Sequence, residues 1–349
     1  MAVLTVSPDD LTRLTLRIFT AAGWSAAEAS DLAEHLVRAN LQGHDSHGVG
    51  MIPAYIEAWK DGLLLPVNSP EVVRDAPPFL VIDAHVALGQ PAAKAATLRA
   101  VEIARESGVC VFNLTNANHV GRVGHYAEIA VAAGMIAMFW VNVAGREPVV
   151  APFGAKVSRF GTNPHTIGVP NGAAPLILDF ATSRTANGKM RVAYNKGEKV
   201  PLGYLIDKDG KPSDDPGVVQ GDRSGSLLPF GDHKGAGLAL MAEILSAALA
   251  TPGKIVTETA KQSWIVNNLF GIIIDPARLD PDEAERRRRI AALVEWQRSA
   301  APAAGTDHVR APGDSERETM AARLREGIPV DQETWRQLQM AAKTVGTTI

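Results

Sequence analysis

With one cysteine in 349 residues, Cys110, the chain can form no internal disulfide, which removes the bridge-stapled secreted domains from consideration. Cys110 lies in the apolar run Val109-Cys110-Val111-Phe112 and reads as a buried strand thiol. No stretch approaches the ~20 apolar residues that span a bilayer. Asp9 and Asp10 stand near the start, where a secretory leader would carry a basic segment followed by an apolar one. Charge of one sign is also lacking: 35 basic against 38 acidic residues leave a net −3 at pH 7. Such a field is too weak to draw the chain to nucleic acid or to an anionic membrane. There is no internal repeat, and no G-x-G-x-x-G follows a strand and opens a helix, so a Rossmann dinucleotide cradle has no support. These absences point to a cytoplasmic protein with a small-molecule partner.

The chain does have a hydrophobic fraction of 46%, enough for a sizeable globular core. Ser7 and Ser25 each precede a helical pattern, and Ser25 with Glu28 makes a capping box. Helices are predicted over 8–21 and 26–41, with Gly43 ending the second. A third follows over 52–60, with Pro53 in its first turn and Gly62 after it. From 79 onward short β-like runs alternate with helices: strands at 79–82, 109–114 and 136–143, helices at 91–106 and 124–133. That order specifies an α/β layer. Later strands are expected at 166–169, 176–180, 204–206 and 271–274, and helices at 238–249 and 281–298. The Arg286 to Arg289 run, preceded by Glu283 and Glu285, reads as a solvated face with paired charges. Residues 299–313, rich in Ala, Pro and Gly, read as a linker, and helices at 315–326 and 331–343 close the chain.

Two distant stretches gather imidazoles and polar side chains closely: Gly43-His44-Asp45-Ser46-His47-Gly48, past a helix end, and Asn116-Ala117-Asn118-His119-Val120-Gly121, past an apolar strand. Such positions turn side chains toward clefts in α/β folds. A histidine titrates near neutrality, so His47 and His119 can exchange a proton at cellular pH, which suits carbonyl reduction or alcohol oxidation. Ser46 can hydrogen-bond a substrate oxygen, and Asp45 or a more distant carboxylate can orient an imidazole. Arg122 and Arg146 are candidate clamps for a substrate carboxylate, because a guanidinium meets it with two parallel hydrogen bonds. Nearness to His119 favours Arg122. The run Gly231-Asp232-His233-Lys234-Gly235-Ala236-Gly237 could hold a pyrophosphate with helix amides and the Lys234 ammonium, or be an ordinary glycine-rich connection. His44, Asp45, His47 and His119 are competent ligands for a zinc or manganese hydrolase. Against that, H-D-S-H lacks the helical spacing of H-E-x-x-H and has no carboxylate-rich partner segment.

With these residues in hand, the chain resembles the type-2 malate/L-lactate dehydrogenase family nearly end to end. The carriers are Gly43 to Gly48, Asn116-Ala117-Asn118-His119, Ala151-Pro152-Phe153-Gly154, Gly161-Thr162-Asn163-Pro164, Leu178-Asp179-Phe180-Ala181-Thr182-Ser183, His233-Lys234-Gly235 and Arg310-Ala311-Pro312-Gly313. The resemblance implies a homodimeric oxidoreductase that moves a hydride between NAD, or NADP, and a 2-oxo acid or 2-hydroxycarboxylate. It implies an α/β, non-Rossmann fold. A cofactor domain over 119–299 would be built on a mainly antiparallel sheet, and a helical scaffold domain would come from both chain ends, 1–118 and 300–349. From the spacing of H-D-S-H, no metal is expected. His47 or His119 would exchange the hydroxyl proton, with Ser46 positioning the oxygen. The cofactor would meet Gly121, Arg122 and Val123, then Ile177, Leu178, Asp179, Phe180 and Ala181. His233 and Lys234, and Pro312, Gly313, Asp314 and Ser315, would complete its contacts.

One departure stands out. Several relatives carry an arginine four residues after the histidine that matches His47, and this chain has Met51 there. Arg122 is then expected to clamp the substrate carboxylate. Met51 beside Ile52 suits a bulky or aromatic substrate side chain better than a second carboxylate, since an unpaired buried charge is costly. The rival readings are a cyclic imino-acid reductase on the same scaffold and a metal-dependent hydrolase.

Overall fold

The computed structural model describes residues 3–259 and 264–348. Its centre is a seven-stranded sheet in the order β2-β3-β4-β11-β5-β6-β7. The strands are β2 (Glu71–Ala76), β3 (Phe79–Asp83), β4 (Val109–Ala117), β5 (Ile136–Ala144), β6 (His165–Val169), β7 (Leu176–Phe180) and β11 (Val266–Ile274). Only β3 and β4 run parallel, and helix α4 (Gly89–Ser107) lies between them in sequence, as a parallel neighbour needs a long crossover. All other neighbours are antiparallel. The mainly antiparallel α/β sheet expected from the resemblance is therefore present.

The expected boundary between residues 118 and 119 would fall just past β4, which is hydrogen-bonded to β11 on the other side of it. Strand residues 71–117 and 136–274 form one layer. What the two chain ends do share is a helical layer: α1 (Pro8–Ala21), α2 (Ala26–Leu41), α3 (Ile52–Lys60), α11 (Asp314–Glu326) and α12 (Gln332–Thr344). It is tied by a two-stranded sheet of β1 (Val3–Val6) with β12 (Ile328–Asp331). The Ser25–Glu28 capping box forms as its sequence dictates.

Two apolar cores result. One packs α4 and α5 (Gly124–Ala132) on the sheet through Leu80, Phe112, Tyr126, Phe139 and Leu269. Alanines at 92, 93, 96, 100 and 104 let α4 lie close. Gly271 is required here, since a Cβ would overlap the Phe112 ring. The other core joins Leu11, Ile18, Phe19, Leu32, Leu36 and Tyr55 to Ile328 and Leu338. Each such side chain contributes about 1.5–3 kcal/mol on leaving water. A third, small cluster of Val150, Met190, Leu205 and Leu227 sits under a three-stranded sheet, β10 (Ser226–Leu227), β8 (Leu205–Ile206) and β9 (Pro212–Ser213).

The helices left to place are α6 (Asn187–Lys196), α7 (Gly217–Gln220), α8 (His233–Glu243), α9 (Val256–Thr259) and α10 (Glu283–Arg298). Here expectation and structure differ. The segment expected to be a glycine-rich loop before 238 is the first turn of α8, and the helix ends in a π-helical turn, Ile244–Ala248. Gly235 is there for close packing: a Cβ would overlap Phe230 O and lie 2.7 Å from Thr182 O. No helix among the described residues is long and apolar enough to cross a membrane.

Candidate active site

The His47 segment is built by two 3-10 turns, Asp45–His47 and Val49–Met51, which follow α2 directly. Asn40, in the last turn of α2, reaches forward to pin them. Its Oδ1 accepts the Val49 amide at 2.8 Å and its Nδ2 donates to Asp45 Oδ1 at 2.6 Å. Gly48 has no side chain because one would overlap the Asn40 amide. Helix α11 holds the segment from outside: Arg323 donates to both Asp45 oxygens at 2.6 and 3.0 Å, and His44 Nε2 lies 3.2 Å from Glu316 Oε1. Asp45 and His44 thus have partners of their own, and Asp45 orients no imidazole. Ser46 Oγ is 3.0 Å from His47 Nδ1.

The His119 segment is held differently. A register shift in β11 between Asn267 and Leu269 accompanies two buried asparagines that bracket the end of β4. Asn268 Oδ1 accepts the Asn116 amide at 2.8 Å, and Asn267 Oδ1 accepts the Val120 amide at 2.9 Å. Asn118 Oδ1 accepts the His119 amide, also at 2.8 Å. Below the ring, Tyr55 of α3 places its hydroxyl 2.7 Å from His119 Nδ1 and accepts a hydrogen bond from Gln90 Nε2 at 2.7 Å.

Although 72 residues apart in the chain, the His47 and His119 rings meet, with centroids 5.6 Å apart and planes 18° from parallel. Both are half-buried. Burial pushes His47 down to about 4, with His44 and Arg122 adding to the effect and the Asp179 carboxylate opposing it. Burial, His47 and Arg146 take His119 to about 3. Both rings are therefore neutral at pH 7.

Arg122 is not available as the expected clamp. Its side chain is 3% exposed and donates to Glu128 Oε1 at 2.9 Å from both terminal nitrogens and to Gln42 Oε1, while Nε faces Asp179 Oδ2 at 3.6 Å. Burial raises the Glu128 carboxyl, but Arg122 and Arg38 outweigh it and hold it at about 2, so this is a permanent internal ion pair. Arg146 differs. It is half-buried, has no hydrogen bond or ion pair among the described residues, and lies near enough for its charge to act on His119. Burial and the nearby Arg223 and Arg191 disfavour its charged form, so an incoming anion would be welcome there. Met51 sits four residues past His47, half-buried and packed against the helical core.

The expected cofactor segments converge on β7, one of the two edge strands of the sheet. At its start, the Ile177 amide donates to Pro312 O at 3.4 Å and Arg317 reaches Pro175 O at 2.6 Å, bringing in Pro312, Gly313, Asp314 and Ser315. In its middle, Asp179 accepts the Gly124 amide at 2.8 Å and the Thr166 hydroxyl at 2.8 Å, bringing in Gly121, Arg122 and Val123. Past Phe180 and Ala181, the Phe230 amide donates to Thr182 O at 3.0 Å, which places α8 with His233 and Lys234. Leu178 is exposed.

This arrangement fits an elongated nucleotide in part. Lys234 offers an exposed ammonium, and the buried Asn118 Nδ2 beside His119 has no partner among the described residues. Of the two alternatives for the run from Gly231 to Gly237, the α8 amides favour the ordinary connection over a pyrophosphate cradle, because those of Lys234, Gly235 and Ala236 donate to Gly231 O, Phe230 O and Asp232 O. Asp179 has both oxygens engaged as well. Among the described residues no three His, Cys, Asp or Glu side chains come together as a metal site would require.

Sequence reasoning missed Tyr55, Gln90, Asn267 and Asn268. The Asn267-Asn268 pair did carry a signal, as two amides inside the otherwise apolar run from Val266 to Ile274. It also missed α6, whose Gly188 lies so close to Ser46 that a Cβ would come 2.8 Å from the serine Cβ.

Comparison with known proteins bears on this site. The family model for malate/L-lactate dehydrogenase matches residues 6–339. Hydroxycarboxylate dehydrogenase B of Escherichia coli (strain K12) is 40% identical over 332 residues, covering 94% of this chain and 91% of that protein. Among solved structures, sulfolactate dehydrogenase from Methanocaldococcus jannaschii superposes with a TM-score of 0.88 at 32% identity, covering 99% of this chain and 98% of that one. Delta1-piperideine-2-carboxylate reductase from Pseudomonas syringae pathovar tomato gives 0.81 at 31% identity, with coverage of 97% and 100%.

Proposed function

The chain belongs to the malate/L-lactate dehydrogenase family, and on that premise we propose that it interconverts a 2-oxo acid and its 2-hydroxy acid with a nicotinamide cofactor, His119 and His47 handling the proton. The observation that carries the reading is the facing pair of neutral imidazoles, 5.6 Å apart. The bound cofactor supplies or accepts the hydride; the chain's own residues do the rest.

His119 is anchored through Nδ1 by Tyr55, which leaves Nε2 as the nitrogen that meets a substrate oxygen. His47 is anchored through Nδ1 by Ser46 and lines the opposite side. Arg146 takes over from Arg122 as the carboxylate clamp, because it is the nearby guanidinium whose donors no described residue occupies. Holding both ends of a 2-oxo acid in this way fixes the carbonyl before reaction, which is where most of the protein's contribution lies. Met51 in place of a second cation leaves the substrate side chain free to be bulky or aromatic. The same proposal takes the protein as a cytoplasmic homodimer that uses NAD, with NADP as the alternative.

The test is an oxidation screen with NADH and NADPH against pyruvate, oxaloacetate, 2-oxoglutarate, phenylpyruvate and hydroxyphenylpyruvate, with a cyclic 2-imino acid in parallel. Turnover of at least one 2-oxo acid is expected, and sedimentation checks the dimer. The likeness to the piperideine-2-carboxylate reductase supports a second reading, in which the substrate nitrogen takes the place of the carbonyl oxygen. Turnover of the imine alone would establish it and displace the first.

A further inference from the structure

We propose that Gln90 is a positioning residue that acts through Tyr55 to decide which nitrogen of His119 carries the proton. The proposal deepens the role given to His119 above. It stands on a buried chain of three groups with one orphaned atom. The Tyr55 hydroxyl is completely enclosed, 2.7 Å from His119 Nδ1 on one side and 2.7 Å from Gln90 Nε2 on the other, and Gln90 Oε1 is buried with no partner among the described residues.

Counting protons gives two wirings. In the first, the Gln90 amide donates to Tyr55, and Tyr55 donates to His119 Nδ1. The one proton of the neutral ring is then on Nε2, which can accept nothing from an alcohol. In the second, His119 Nδ1–H donates to Tyr55, and the hydroxyl proton must find another acceptor. Gln90 Oε1 is that acceptor once the amide makes a half-turn, which exchanges the positions of its nitrogen and oxygen and loses no hydrogen bond. His119 Nε2 then presents a lone pair.

Only the second wiring can take a proton from a hydroxy acid at Nε2, and only it can hold an imidazolium, since both ring nitrogens are then donors. Proton transfer in either direction therefore begins and ends with Tyr55 donating to Gln90. The first wiring is the resting arrangement. The charged and titratable groups that face this ring are His47 from the opposite segment, Tyr55 from α3 and Arg146 from the end of β5, with His35 farther off. None of them accepts the Tyr55 proton, so the choice falls to Gln90.

The test reads the tautomer directly, on protein free of cofactor and substrate, from the ¹⁵N shifts of the His119 imidazole, assigned by loss of the signal in His119→Ala. The protonated Nε2 form is expected in the parent. Gln90→Glu places an acceptor-only carboxylate next to Tyr55 and should move the proton to Nδ1. In assays of hydroxy-acid oxidation its acid limb of kcat should shift to higher pH. Tyr55→Phe should give intermediate shifts from mixed tautomers and a kcat at least about tenfold lower, as expected when an imidazole loses its orienting partner. Unchanged parent shifts in folded Gln90→Glu would overturn the proposal. If that variant does not fold, unchanged parent shifts in Tyr55→Phe would do so. The spectra do not depend on turnover, so an enzyme that reduces no 2-oxo acid would sink the proposed function and leave this inference to stand or fall on its own signal.

Discussion

His119 is set among several buried amides, whereas His47 has one, Asn40, and otherwise charges that water reaches in part. The first ring rests on Asn267, Asn268, Tyr55 and Gln90, of which Tyr55, Gln90, Asn267 and Asn268 are all buried. The second depends on the Asp45–Arg323 pair, whose Asp45 side chain is 51% and Arg323 side chain 17% exposed, and on His44 with Glu316. The buried asparagine pair is rigid because breaking one of its bonds strands a backbone amide. A half-exposed ion pair is worth little and can re-form in several geometries. The difference leads us to expect the His119 segment to tolerate substitution of its supports less well than the His47 segment.

Four experiments would break or sharpen this contrast. The largest effect should come from the rings themselves: His119→Ala and His47→Ala are each expected to lower kcat by roughly 10² or more, and comparable losses from both would show that the reaction uses the pair. Next, Asn268→Ala strands the Asn116 amide and removes its own bonds to Asn142 Oδ1 and Lys254 O. A stability loss of about 1–3 kcal/mol in denaturant titration is expected, together with weakened catalysis; a neutral variant would remove the buried side of the argument. Third, Arg323→Ala should cost less than about 1 kcal/mol of stability while raising KM several-fold. Equal destabilisation by Arg323→Ala and Asn268→Ala would erase the contrast. The smallest effect belongs to Arg191→Ala and Arg223→Ala, which should lower kcat/KM only a few-fold and flatten its dependence on salt.

Acidity offers a further check with a definite sign. Burial holds His47 at about 4 and His119 at about 3 against an ordinary 6.5, so between those values the unfolded chain binds protons that the folded one refuses. Their contribution to stability is fully present above pH 6.5 and declines as pH falls toward 4 and then 3. Replacing His47 with Gln should reduce the steepness of that decline in thermal melts taken across this range.

Much of the fold could be read in the sequence wherever apolar period and caps agree. Ser25 with Glu28, Pro53 and Gly62 mark their helices correctly because each acts within a few residues of itself. The pairing of His47 with His119 was legible from chemistry rather than periodicity. What stayed hidden depends on distant neighbours. Gly188 and Gly235 look like helix breakers, yet both sit inside helices because something else presses against them, Ser46 in one case and Thr182 with Phe230 in the other. Arg122 looked like a free guanidinium because nothing local announces Glu128 and Asp179 folding around it. β2 gave no alternation because five of its six residues are exposed.

The antiparallel pairing of Val3–Val6 with Ile328–Asp331 has a temporal consequence. A nascent chain can lay down every strand of the large sheet before residue 314 leaves the ribosome, and with it the amide bracket around His119. Arg323 and Glu316, which hold Asp45 and His44, are made only afterwards. The segment that carries His119 therefore has its supports early in synthesis, and the segment that carries His47 gains its own only when the last helices are made.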